Sequence, residues 1–159
     1  MAKEIERKFL VTSEAWRRHI RKAVAYRQGY MANNEKVSVR VRISDDDARL
    51  NIKSATLGVY RLEYEYSLPL NDAQQMLDEL CMRPLIEKTR YYVDDAGHTW
   101  EVDVFEGDNA GLVVAELELD DEDAPYTRPD WVGEEVSDDP RYYNVCLVEH
   151  PYKDWDARG

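Results

Sequence analysis

Cysteine is scarce in this chain: Cys81 and Cys146 are the only two among 159 residues. They make neither a disulfide framework nor a zinc spacing. Both fall in apolar helical stretches, where a buried free thiol is the expected state. Histidine is scarce too, and His19, His98 and His150 share no helix face or strand. A histidine zinc site or a Ser-His-Asp hydrolase therefore finds no support, and any chemistry must run on carboxylates, lysines, arginines and tyrosines. The 7 glycines and 6 prolines are spread out and no low-complexity linker divides the chain. One domain over residues 1–159 is expected, since a domain usually takes roughly 100–200 residues. No apolar run approaches the roughly 18–20 residues of a membrane span. The start, MAKEIERKFL, lacks a signal-peptide core. The expectation is a soluble, cytoplasmic chain that does not meet a membrane. Basic residues are also in deficit, 21 Lys+Arg against 33 Asp+Glu, a net charge of −12. That argues against a general nucleic-acid binder, which needs a net basic face. It leaves small polyanions open, because local charge can oppose the net charge.

What the chain does have is period-two alternation, the mark of strands with two unlike faces. Candidate strands cover 4–11, 25–31, 36–44, 49–54, 59–68, 85–93, 99–105 and 112–119. The segments 44–48, 56–58 and 94–97 carry turn residues suited to antiparallel hairpins. Three helices are expected. The first, 14–23, follows Ser13 with Trp16 and Ile20 one turn apart. The second, 71–81, opens with Asn71 and Gln74 in a capping-box-like pair and has Met76, Leu77 and Leu80 as its stripe. The third, 142–150, lies between Pro140 and Pro151. The acidic stretch 120–123 reads as a solvated loop. About eight strands with few helices predict a mainly β (α+β) fold built on an eight-stranded, closed antiparallel barrel, with a few flanking helices and a C-terminal one.

The polar faces of these strands carry the functional signal. Glu4, Glu6 and Lys8 share one face; Arg40 and Arg42 share another; Asn51 goes with Lys53; and Arg61, Glu63 and Glu65 go together. Lys88 pairs with Arg90, Glu101 with Asp103, and Glu116 with Glu118. An ordinary solvated face would mix Ser, Thr and Gln among its charges, and adjacent like charges are mildly unfavourable. Like-charge doublets on almost every strand instead suit an interior that holds a multivalent cation and a polyanion together. Carboxylates supply hard oxygen ligands for Mg²⁺ or Mn²⁺, and Arg and Lys supply donors for phosphate oxygens. An eight-stranded barrel has room for one small ligand. Tyr60, Tyr64 and Tyr66 fall on the apolar side of their strand, where packing in the core or under a helix is expected.

Glu4-Ile5-Glu6-Arg7-Lys8 resembles the E-x-E-x-K signature of the CYTH superfamily, also called triphosphate tunnel metalloenzymes. Its company, in order, is Gln28-Gly29-Tyr30, Val37-Ser38-Val39-Arg40-Val41-Arg42, Ile52-Lys53-Ser54 and Arg61-Leu62-Glu63-Tyr64-Glu65. Then come Glu87-Lys88-Thr89-Arg90-Tyr91, Glu101-Val102-Asp103-Val104-Phe105, Ala115-Glu116-Leu117-Glu118 and a tail through Gly133-Glu134-Glu135-Val136 to Asp139-Pro140-Arg141-Tyr142 and Asn144. The resemblance implies an eight-stranded tunnel binding triphosphate and divalent metal along its axis. It implies Glu4, Glu6, Asp103, Glu116 and Glu118 as metal-side carboxylates, and Lys8, Arg40, Arg42, Lys53, Lys88 and Arg90 as phosphate-gripping cations. Arg61, Glu63 and Glu65 would support them, whether by touching metal, orienting water or pairing with arginines. Tyr30 and Lys88 match a catalytic dyad of the short triphosphatases, and the C-terminal helix, with Arg141 and Tyr142 near its start, would close one mouth. The implied activity is Mg²⁺- or Mn²⁺-dependent hydrolysis of inorganic triphosphate to pyrophosphate and phosphate. Alternatives are an adenylyl cyclase or a thiamine or nucleoside triphosphatase on the same scaffold, a non-catalytic polyphosphate- or nucleotide-binding module, and a curved sheet whose doublets face solvent. The oligomeric state, a homodimer among the options, stays open.

Overall fold

The computed structural model describes residues 3–54, 60–121 and 123–155; the side chains of Lys3, Glu4, Tyr60, Arg61 and Val145 fall outside that description. Nine strands run in chain order as β1 (Lys3–Val11), β2 (Ile20–Asn33), β3 (Val37–Ser44), β4 (Asp47–Ser54), β5 (Tyr60–Ser67), β6 (Ile86–Asp95), β7 (His98–Phe105), β8 (Val113–Leu119) and β9 (Val132–Glu135). Two α-helices join them, α1 (Leu70–Glu79) and α2 (Asn144–Glu149). All strand pairings are antiparallel, in the order β5-β4-β3-β2-β6-β7-β8-β1-β9. The mainly β, antiparallel class is thus as expected, while the closed eight-stranded barrel needs correction. The sheet has nine strands, and its two flanks meet only where Lys3, Glu4 and Ile5 pair with Leu62, Arg61 and Tyr60. Farther along, that edge of β1 is taken by β9, through Phe9 with Glu135 and Val11 with Val132. A strand as short as β9 leaves little periodicity to read.

The helix expected at 14–23 is a 3-10 turn, Ala15–His19, followed at once by β2. Tertiary pairing overrides the local spacing here, because Ile20, Lys22, Ala23 and Val24 find partners in Val93, Tyr92, Tyr91 and Arg90 on β6. Trp16, fully buried, pins the turn by packing on the Tyr91 ring at 5.2 Å. Helix α1 is capped by Pro69 rather than Asn71, with no side-chain cap bond. The third expected helix splits into a 3-10 turn, Pro140–Tyr142, and α2. Of the expected hairpins, β6–β7 turns on Ala96 and Gly97, both with positive φ, as a two-residue primed turn requires. The turn expected at 56–58 lies outside the described residues.

Alternation puts the apolar core on the outer face of the curled sheet, in three clusters. Phe9, Trp16, Trp100, Val102, Leu117 and Trp131 pack together on one side. Tyr30, Ile86, Phe105, Leu147, Val148 and Trp155 pack beneath the C-terminal segment. Val41, Ala48, Ala73 and Leu77 pack under α1. A Cβ at Gly29 would meet Leu85 and Cys81 at under 3 Å, so this close approach to β2 requires glycine. Both cysteines are free and half-buried rather than fully buried. Tyr64 and Tyr66, expected to pack, are 46% and 55% exposed, because α1 covers β3 and β4 but stops short of β5; the Tyr60 side chain lies outside the described residues. Among the described residues no helix is long and apolar enough to cross a membrane.

Candidate active site

The residues between those outward ones point inward and line a cavity of about 460 Å³ that takes side chains from all of β1 to β8. Glu6 and Lys8 enter from β1, Arg40 and Arg42 from β3, Asn51 and Lys53 from β4, Glu63 and Glu65 from β5. Lys88 and Arg90 enter from β6, Glu101 from β7, and Glu116 and Glu118 from β8. Tyr30 lines it from β2, and Tyr143 and Asn144 reach it at the start of α2. Register decides who meets whom. Glu6 stands directly across from Glu118, Lys8 from Glu116, Lys53 from Glu63, and Arg90 from Asp103.

One group of these charges is fully bonded. The Arg90 guanidinium donates to both Asp103 oxygens, Nε to Oδ1 at 2.7 Å and Nη2 to Oδ2 at 2.9 Å. It also reaches Glu116 at 3.1 Å and Glu101 at 2.9 Å. The Lys88 ammonium donates to Asp103 Oδ2 at 2.7 Å and to Asn144 Oδ1 at 2.8 Å. Lys8 meets Glu116 at 3.2 Å and donates to the Tyr142 carbonyl at 3.1 Å. These side chains are almost wholly buried, so each charge depends on its partners. Burial would raise the Glu116 carboxyl, but Lys8 and Arg90 hold it well below the carboxylate range. Burial likewise pushes Lys88 down to about 7, against the pull of Asp103.

A second group is not bonded. The Arg40 side chain is 8% exposed, its Nε has no hydrogen-bond partner, and among the described residues it has no carboxylate partner. Arg42 stacks on the Tyr26 ring at 4.4 Å and has only a loose contact with Glu65, at 3.7 Å. Burial, then Arg40 and Arg90, pushes the Arg42 guanidinium down. On the acidic side neither Glu6 nor Glu118 is in an ion pair among the described residues. Burial, then Glu6, Glu63 and Glu116, raises the Glu118 carboxyl against the weaker pull of Lys53. Unbalanced positive charge on one wall and unbalanced negative charge on another fit a polyanion with a bridging cation.

The structure brings Lys8, Tyr30, Arg40, Arg42, Lys53, Glu63, Glu65, Lys88, Arg90, Glu6, Glu116 and Glu118 around this one cavity. Asp103 stands behind it, both oxygens taken by Arg90 and Lys88. Glu101, two residues before it on the same strand face, reaches the cavity instead; burial raises it to about 7, against Arg90 and with help from Glu116. The Glu4 and Arg61 side chains lie outside the described residues. Asn51, placed with Lys53 by alternation but given no role, donates to Glu63 and Glu65. Sequence reasoning missed the Tyr26–Tyr92 hydroxyl pair at 3.1 Å, which follows only from register. No three acidic side chains among the described residues already converge on one metal position. Glu6 and Glu118 still fit a magnesium-like ion, which typically takes one or two carboxylates together with substrate phosphates.

A curled antiparallel sheet with cations and carboxylates from seven strands around one cavity is the architecture of a tunnel-like class of protein with a charged interior. The CYTH domain profile matches residues 2–143, and the chain belongs to that family. It is similar to the inorganic triphosphatase of Acetivibrio thermocellus, 50% identical over 155 residues and covering 98% of this chain and 99% of that one. It is also similar to the inorganic triphosphatase of Nitrosomonas europaea, 37% identical, covering 91% and 96%. The crystal structure of the inorganic triphosphatase NE1496 aligns with a TM-score of 0.64 at 33% identity, over 93% of this chain and 95% of that one. The PH1012 protein of Pyrococcus horikoshii shares the fold alone, with a TM-score of 0.59 at 16% identity over 75% of this chain and 80% of that one.

Proposed function

We propose that this chain hydrolyses inorganic triphosphate to pyrophosphate and phosphate with a divalent metal, Mg²⁺ or Mn²⁺. The observation that carries this reading is the buried Arg40 guanidinium, which lines the cavity with no carboxylate partner among the described residues. A buried charge is costly unless paired, so such a group implies an anionic ligand. The curled sheet, joined at its three-pair seam, would then serve as the tunnel. Arg40, Arg42 and Lys53 grip phosphate oxygens, Arg40 in a two-pronged way, while Lys8 and Arg90, held by Glu116, Asp103 and Glu101, add positive charge behind them. Lys88, anchored by Asp103, donates to the phosphoryl group that leaves, with Tyr30 lining the same space. Glu6 and Glu118 would hold the metal, with Glu116 beside them and Glu4 on the same strand as Glu6; bound there, it neutralises developing charge on phosphate oxygens. Water oxygen forms the new bond to the terminal phosphorus as its bond to the bridging oxygen breaks; pyrophosphate leaves with that electron pair, and the proton the water sheds passes to the released phosphates. Holding the triphosphate rigidly for that in-line attack is the chain's main contribution.

Product analysis tests this directly. With Mg²⁺ and parallel tripolyphosphate and ATP, the expected result is phosphate and pyrophosphate from tripolyphosphate and little turnover of ATP. Cyclic AMP from ATP, or no turnover of either with Mn²⁺ also tried, would overturn it.

A further inference from the structure

Asn144 is 9% exposed and lines the cavity from the first turn of α2, in the segment that follows the last strand of the sheet. Its Oδ1 accepts from the Lys88 ammonium at 2.8 Å and from Gln28 Nε2 at 3.1 Å. While Lys88 carries its proton it can only donate, and in that state the Asn144 amide must turn its oxygen toward Lys88 and its NH₂ away from it. The same logic fixes Gln28, which must turn its own NH₂ to the Asn144 oxygen. Its Oε1 is left buried without a donor, on a residue with no exposed surface. A buried unsatisfied acceptor is unfavourable, and native structures keep few of them. Here it is the consequence of holding Asn144 one way round. The Asn144 Nδ2 has no partner among the described residues and is not among the buried polar atoms left without one, so it keeps accessible surface, on a residue that lines the cavity.

Resting on the triphosphatase reading above, we infer that Asn144 is a substrate-positioning residue contributed by the C-terminal segment: its carbonyl oxygen fixes the Lys88 ammonium while its amide donates a hydrogen bond to a phosphate oxygen. The site is then complete only when α2 is docked, and Gln28 is the support that keeps the amide facing the right way. Because the two ends of the Asn144 side chain do different jobs, two substitutions separate them. Asn144→Asp keeps an oxygen for Lys88 but replaces the donor with a negative oxygen that repels phosphate. Asn144→Ala removes both ends.

The test is steady-state kinetics with tripolyphosphate and Mg²⁺, together with calorimetric binding of tripolyphosphate and thermal unfolding of each variant. Expected is a KM, and a dissociation constant, raised about 10- to 100-fold in Asn144→Asp with a smaller fall in kcat. That range corresponds to losing one hydrogen bond to a charged group. Asn144→Ala should lower kcat about 10-fold or more as Lys88 loses its placement, at a melting temperature near that of the wild type. Gln28→Ala should fall in the same direction by less. Unchanged KM and binding in Asn144→Asp, or losses in both variants that only track the folded fraction, would overturn the inference. A wild type that fails to turn over tripolyphosphate would refute the triphosphatase reading instead. The binding arm still decides the role of Asn144 in that case, retained affinity in Asn144→Asp counting against it.

Discussion

Two sets of charges share one cavity, and the fold treats them in opposite ways. In the first, Asp103 and Glu116 are matched oxygen by oxygen against Lys8, Lys88 and Arg90, in side chains that are almost wholly buried. In the second, among the described residues, Arg40 has no acidic partner, and Glu6 and Glu118 face each other across neighbouring strands with no ion-paired cation. Buried charges survive only when compensated. The bonded set therefore fixes geometry, and the unbonded set is left for ligands to compensate. Like charges placed directly across a strand pair weaken a sheet, so the Glu6–Glu118 pairing costs the free protein and favours a bound cation.

The comparison breaks most visibly at Asp103. Asp103→Ala takes from Lys88 its carboxylate partner and from Arg90 its two-pronged one, and should destabilise the protein by about 3–5 kcal/mol, the range for removing one partner of a buried ion pair. Denaturant unfolding would measure it, and adding Lys88→Met should restore part of the loss, since the two sites are coupled. Arg40→Ala should do the reverse. Unfolding of the free protein stays within about 0.5 kcal/mol of wild type or rises. The KM for tripolyphosphate climbs about 10- to 100-fold, the equivalent of about 1.5–3 kcal/mol of charged hydrogen bonding.

The smallest effect is a pH dependence. Burial lowers Lys88 from 10.5 to about 7 in the metal-free protein. Between those values the unfolded chain holds a proton that the folded one has lost, so stability rises with pH across that window. The contribution is complete above 10.5 and gone once the pH falls below about 7. Its slope is at most about 1.4 kcal/mol per pH unit for one proton. Comparing unfolding of wild type with Lys88→Met at pH 7 and pH 8.5 reads it: the wild type should gain on the variant at the higher pH.

Much of this was legible in the residues. Alternation placed Arg40 with Arg42 and Glu116 with Glu118 on shared faces, because strand side chains strictly alternate; that these faces turn inward rested on the repetition of like-charge doublets and on the family resemblance. Alternation could not tell Asp103 from Glu101, since both lie on one face and only the reach of Arg90 decides which is buried behind the cavity. Nor could it see Asn144, which a pairing across 56 residues of chain brings to Lys88. The segment 20–24 misled for a similar reason: its helical spacing was real, but β6 offered its backbone better partners. Local pattern gave the faces, and long-range register decided the bonds.

The most direct test of the division between bonded and unbonded charges is calorimetric binding of tripolyphosphate to wild type and to the Glu6→Gln, Glu118→Gln double variant, first in chelator and then with Mg²⁺. Binding without metal should be retained or tightened in the double variant, because two repelling carboxylates are gone, while the strengthening by Mg²⁺ falls about tenfold or more. A double variant that loses metal-free binding, or that gains as much from Mg²⁺ as the wild type does, would contradict the account.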